Sequence, residues 1–278
     1  HGRKSGRGYY TYTSDDTGKV RYREEDPEPP AEFGGEGVVV ISGASELADE
    51  LRHAAEEAGY EVRSPRDPTG GVFPALIVDC NPQLPARRVP DAELGRPDRR
   101  GAPKHLPQGG VHLVLCATGS LSLLAPSGSA VGFHALPPLR SASLVELTRN
   151  EASSPLAATR AERFFHALGK HVAWVGDAPG LVLGRIVCQI INEAAFALGE
   201  GVGAARDIDL GMVLGLSHPR GPFEWADAIG LDHVLAVLEG LCSEYREERY
   251  RPAPELLGLV RAGRLGRESG AGFFDYET

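Results

Sequence analysis

The stretch VVVISGASELADELRHAAEEAGYEV, residues 38–62, decides the architecture of the first half of the chain. Residues 38–41 form a β-branched run followed by small polar turn residues, the pattern of a short buried strand. Leu47, Leu51, Ala54, Ala55 and Ala58 then recur at helical spacing, and Gly59 closes the run. Residues 60–62 read as the next strand. Strand, turn, helix, strand is the opening of a parallel α/β sheet.

Working outward, apolar runs at 75–78, 111–115, 131–134, 144–147 and 172–175 predict further strands, and 155–168 predicts a helix. Residues 83–110 are rich in Pro, Arg and Gly, and a structureless loop of that length is unusual inside a domain. The expectation for 36–178 is therefore a curtailed parallel sheet, with 38–41 central and 83–110 irregular. From residue 179 the pattern changes. Residues 181–198, 205–216, 231–245 and 254–262 all carry helical periodicity with no strand between them, which predicts an all-helical domain over 179–278. Residues 13–35, rich in Asp, Glu, Pro and Gly, read as a linker.

The chain of 278 residues has 29 basic and 38 acidic side chains and a net charge of −9. That balance argues against a nucleic-acid backbone or an anionic membrane as partner. No apolar run reaches the roughly 20 residues of a membrane span, and the polar, glycine-rich opening does not read as a signal peptide. Cys80, Cys116, Cys188 and Cys242 form no CxxC pair, so reduced thiols in a cytoplasmic protein, with no metal site, are expected.

An internal repeat joins the two ends. Residues 2–12 (GRKSGRGYYTY) and 266–276 (GRESGAGFFDY) match at six of eleven positions, Gly2, Arg3, Ser5, Gly6, Gly8 and Tyr12, with no gap. The second copy closes a domain, so the first is expected to be the tail of a preceding one. The chain is then expected to be the C-terminal half of a tandem protein.

Four segments carry a family likeness: DAPGLVLGRI (177–186), INEAAFAL (191–198), DIDLGMVLGLSHPRGPFEWADAIGLD (207–232) and GRLGRESGAGFFDY (263–276). Together they resemble the C-terminal domain of 3-hydroxyacyl-CoA dehydrogenases, and GFHALPPLRSASLVEL (132–147) is similar to that family's nucleotide-binding domain. The resemblance to tandem 3-hydroxybutyryl-CoA or 3-hydroxyadipyl-CoA dehydrogenases implies a reduced Rossmann-like α/β domain followed by the all-α domain. It also implies NAD as cofactor, an acyl-CoA substrate, an N-terminal half as partner, and a homodimer formed through the helical domain.

Residue by residue, the family's general-base His falls on His134 and its orienting Glu on Glu146. A carboxylate partner fixes an imidazole's tautomer and favours its protonated form. The family's Ser and Asn, which bond the reacting oxygen, fall on Gly119 and Gly184, so both donors are missing. His134 and Glu146 are expected within hydrogen-bond or single-water reach, with an oxygen-sized gap beside the two glycines. The G-x-G-x-x-G turn of a dinucleotide fold corresponds to Ser42–Leu47, where all three glycine positions are replaced and Glu46 adds a negative charge. The acidic residue expected after the second strand is displaced to Asp67. No residue here is assigned to cofactor binding, and NAD is expected to be held by the full-length protein but not by this segment. Two readings stay open: a degenerate, structural half of an NAD-dependent 3-hydroxyacyl-CoA dehydrogenase, or a non-redox acyl-CoA-binding or dimerisation module.

Overall fold

The computed structural model describes residues 13–14, 20–21, 34–65, 73–81, 110–126 and 128–276. Two compact units are present, residues 1–30 and 31–278. In the first, β1 (Thr13–Ser14) pairs antiparallel with β2 (Val20–Arg21), so part of the expected linker forms a small ladder. The expectations for residues 2–12 and 83–109 and for Asp67 lie outside the described residues.

The second unit is built on a seven-stranded sheet: β3 (Val38–Ser42), β4 (Glu61–Arg63), β5 (Leu76–Asp79), β6 (Val111–Leu115), β7 (Ala130–His134), β8 (Leu144–Thr148) and β9 (His171–Trp174). Its spatial order is β4-β3-β5-β6-β7-β8-β9. Two expectations are corrected here. Residues 38–41 are not central, because only β4 lies outside β3 while every later strand adds on the other side. The sheet is also not wholly parallel, since β7 and β8 run antiparallel. A doubly wound dinucleotide sheet has order 3-2-1-4-5-6; among the described residues no strand stands outside β4, which is where the sheet is curtailed.

α1 (Glu46–Glu57) follows β3 because Ser45 caps it, its hydroxyl accepting from the Ala48 amide at 3.3 Å. Leu47, Ala48, Leu51 and Ala55 bury one face on the sheet, and Gly59 with φ of 99° ends the turn. α3 (Pro155–Ala167) repeats that logic, with Ser154 as cap, Pro155 in the first turn and Ala157, Ala161, Phe164 and Phe165 buried. On the other face a four-residue helix, α2 (Leu121–Leu124), covers Val114, Cys116 and Ala130.

The helical layer comprises α4 (Leu183–Gly199), α5 (Ala205–Leu216), α6 (Pro222–Ile229), α7 (Leu231–Tyr245) and α8 (Pro254–Arg261). One apolar core runs from Val39 and Ile41 of β3 through Phe133 and Phe165 to Ile191, Leu238 and Leu256 of the helices. Sheet and helical layer therefore share their packing.

The segment SHPRGPFEWAD spans the junction between α5 and α6 and the start of α6. Pro222 opens the helix, where its missing N–H costs nothing. The Asp209 carboxylate accepts from the Phe223 and Glu224 amides at 2.8 and 2.9 Å. Gly221 is required there, because a Cβ on it would lie 2.1 Å from Asp209 Cγ. Further along α6, the buried Asp227 carboxylate accepts from Phe273 N, Phe274 N and Tyr276 Oη, each at 2.9 Å, and so fastens the C-terminal tail. Gly272 lets that tail approach, since its Cβ would fall 2.0 Å from Asp227 Oδ1.

Candidate functional site

His134 ends β7 and Glu146 stands opposite it on β8, the two being direct partners in the antiparallel ladder. Directly opposed residues share a face of the sheet, so the backbone does bring the two side chains of the expected dyad side by side. Both are buried, at 1% and 3% exposure. No direct hydrogen bond joins them. Glu146 Oε2 instead accepts from the Val182 and Leu183 amides at 3.1 and 2.9 Å, where α4 begins. Burial raises the Glu146 pKa, and those two amide bonds partly offset the rise.

His134 bonds elsewhere. Its Nε2 lies 3.1 Å from Nε2 of His233, the third residue of α7, with ring centroids 5.3 Å apart. Nδ1 of His134 is buried with no partner. Burial first, and then the neighbouring His233, hold the His134 pKa well below the ordinary histidine value. Burial brings His233 down to about 4, opposed by the Asp232 charge. Both imidazoles are therefore neutral near pH 7.

The gap expected at Gly184 is absent. A Cβ on Gly184 would sit 2.5 Å from His134 Cε1 and 3.0 Å from its Nε2. The imidazole occupies the space that a side chain at this position would need. Gly119 is buried in the bend between β6 and α2, and the next residue, Ser120, gives its amide to Glu244 of α7 at 3.1 Å.

A cleft of about 620 Å³ opens between the turn after β3 and the helical layer. Ala44–Leu47 territory, Pro137, Arg140, Asp227, His233 and Glu268 are among its walls; His134 is not. The turn does not fit a dinucleotide. Ser42 Oγ is engaged with Asp79 Oδ1 at 3.0 Å, and Leu47 is buried where close helix–strand packing would want glycine. Glu46 and Glu268 both line the cleft, and the Glu46 pKa is pushed up to about 7 by burial and then by the Glu268 charge. A carboxyl pair thus lies at the helix N-terminus that would otherwise receive a pyrophosphate. Among the described residues no group of three or more His, Cys, Asp or Glu side chains is arranged to hold a metal ion, and no helix is long and apolar enough to cross a membrane.

Residues 180–276 match the family model described as 3-hydroxyacyl-CoA dehydrogenase, C-terminal domain. The C-terminal part of the chain thus carries the C-terminal domain of 3-hydroxyacyl-CoA dehydrogenases. A 3-hydroxybutyryl-CoA dehydrogenase of Bradyrhizobium diazoefficiens is 42% identical over 146 residues, covering 52% of this chain and 50% of that protein. One from Clostridioides difficile is 34% identical over 165 residues, covering 57% and 59%. The chain thus spans about half the length of these curated family relatives. Among solved structures, (S)-3-hydroxybutyryl-CoA dehydrogenase PaaH1 from Ralstonia eutropha is similar with a TM-score of 0.59 at 28% identity, covering 81% of this chain and 78% of that one. FadB2 of M. tuberculosis shares the fold, with a TM-score of 0.69 at 23% identity over 88% of this chain and 100% of that one.

His233 is the site residue that sequence reading missed. It sits in LDHVL (231–235) as a single His at the start of an apolar helix, with no spacing that marks it. Only the packing of α7 against β7 brings it to His134.

Proposed function

We propose that this chain is a non-redox, structural member of the family, associated with an intact cleft that performs NAD-dependent oxidation of a 3-hydroxyacyl-CoA to a 3-oxoacyl-CoA. The observation that carries this reading is at Gly184. Where the family pattern has an Asn to hold the reacting oxygen, this chain has a glycine with the His134 ring packed onto it. His134 and Glu146, proposed as the positions matching the family's base and its orienter, then have no hydroxyl to act on. Loss of one preorganised donor typically costs on the order of 10²–10³ in rate, and here the positions of two are glycines. The carboxyl pair at Glu46 and Glu268 supports the absence of a hydride acceptor from this cleft.

The purified chain, mixed with 3-hydroxybutyryl-CoA and NAD, is expected to produce no NADH above the uncatalysed rate; turnover would overturn the reading. In an assembly that does turn over, His134→Ala is expected to change the rate only a few-fold. A working general base supplies about 10²–10⁴, so a thousand-fold loss would make this cleft catalytic.

A second reading, a dimerisation module, is favoured by α5. This helix has no buried residue, and it exposes Leu210 and Leu214 at 56% and 74%, beside Val202 at 74% and Leu216 at 64%. A contiguous apolar face of this kind marks an interaction surface. The proposed partner is a second helical layer of the same family.

A further inference from the structure

We propose that His233 is a lock on His134: its Nε2 accepts the proton carried by His134 Nε2, so the imidazole at the family's base position offers no lone pair to the cleft. The geometry has three parts. The two Nε2 atoms are 3.1 Å apart, a normal N–H···N separation, with no room for a third group between them. His233 lines the cleft, whereas His134 lies behind it at 1% exposure. Gly184 leaves the space that the His134 ring occupies in making this contact.

The direction of the bond follows from the other nitrogen. His134 Nδ1 is buried without a partner. If the proton sat there, it would be an orphaned interior N–H, which proteins rarely tolerate. The proton therefore sits on Nε2 and points at His233, which accepts with its own Nε2 and carries its proton on Nδ1. His134 keeps one free lone pair, at Nδ1, sealed inside the protein. A base needs its lone pair within reach of the substrate proton, and this one is on the wrong side of the ring.

The charged groups around the pair leave its neutrality intact. Glu146, the ladder partner of His134, spends Oε2 on the start of α4. Asp232 adjoins His233 on α7 and favours its protonation, while Glu46, Arg140, Arg267 and Glu268 face it across the cleft. Protonating both rings would set two cations against each other in the interior, so the pair takes up at most one proton, and only in acid.

The lock extends the proposed loss of redox chemistry by naming what holds His134 out of reach, and it is tested separately. In protein labelled with 15N-histidine, a scalar coupling between the two Nε2 nuclei is expected, with one Nε2-bound proton on the His134 ring. His134 should titrate only well below the ordinary histidine range. In His233→Ala, water reaches the vacated space, the coupling disappears, and the His134 pKa rises by at least about one unit. Absence of coupling in the unsubstituted protein, or a His134 that already titrates between about pH 6 and 7, would overturn the lock whether or not the variant folds. Neither result bears on NADH binding, which decides the proposed function.

Discussion

At the scale of single residues, the decisive exchange is Gly184 against His134. Restoring the family's side chain by Gly184→Asn would drive a Cβ to within 2.5 Å of the imidazole. Overpacking of this kind costs about 1–3 kcal/mol. Melting is expected to fall by roughly 2–10 °C, with the His134 resonances moving as the ring is pushed from His233; an unchanged melting temperature would show that the ring yields freely. His134 and Glu146 were legible as lying on two strands, because a family motif and two apolar runs point there, and the structure sets those strands side by side. The hydrogen bonds were not legible. Whether Glu146 turns to a histidine or to the amides of Val182 and Leu183 depends on where α4 starts, a tertiary fact.

At the scale of elements, the C-terminal tail is held by one carboxylate. Asp227→Ala would strand the amides of Phe273 and Phe274 and the Tyr276 hydroxyl. The expected cost is about 3 kcal/mol, with earlier proteolytic cleavage in 264–276; a tail as resistant as before would assign the clasp to the Phe223–Phe273 ring contact at 4.3 Å instead. The internal repeat gains a meaning here. Four of its matched positions, Gly266, Arg267, Gly272 and Tyr276, are ones that contact Asp227 in the second copy.

Glu46 at the start of α1 and Glu268 in the C-terminal segment interact through their charges. The sign of the effect on stability is set by a folded-state pKa of about 7 against an ordinary 4.5 for Glu46. The stabilisation is fully present below about 4.5 and is lost as the pH rises through about 7. Glu46→Gln keeps the side-chain shape and removes the titration. Denaturant midpoints measured across that range should flatten in this variant, and an unchanged slope would mean that the pair carries no stability. Most elements were legible because periodicity reports burial directly, as with α5 and α7, whose bounds the pattern gave unchanged. The short α6 was not: its Pro and Gly read as breaks, while Asp209, thirteen residues before Pro222, supplies the cap.

At the scale of the whole molecule, the exposed face of α5 is the feature that most needs a partner. Leu214→Asp places a charge at a residue 74% exposed, so it should not harm the fold. It is expected to shift the chain toward monomer in sedimentation velocity at high micromolar concentration; a protein monomeric before the substitution would remove the dimerisation reading. The cleft poses the larger question, because the sheet and helical layer that frame it share one core and the family is one of NAD-dependent dehydrogenases. The most direct test of a cleft without redox chemistry is titration of the chain with NADH, followed by calorimetry. With Ser42, Ala44 and Leu47 at the glycine positions and Glu46 paired to Glu268, the expected result is no saturation below millimolar cofactor, whereas a saturable heat with a micromolar dissociation constant would contradict it.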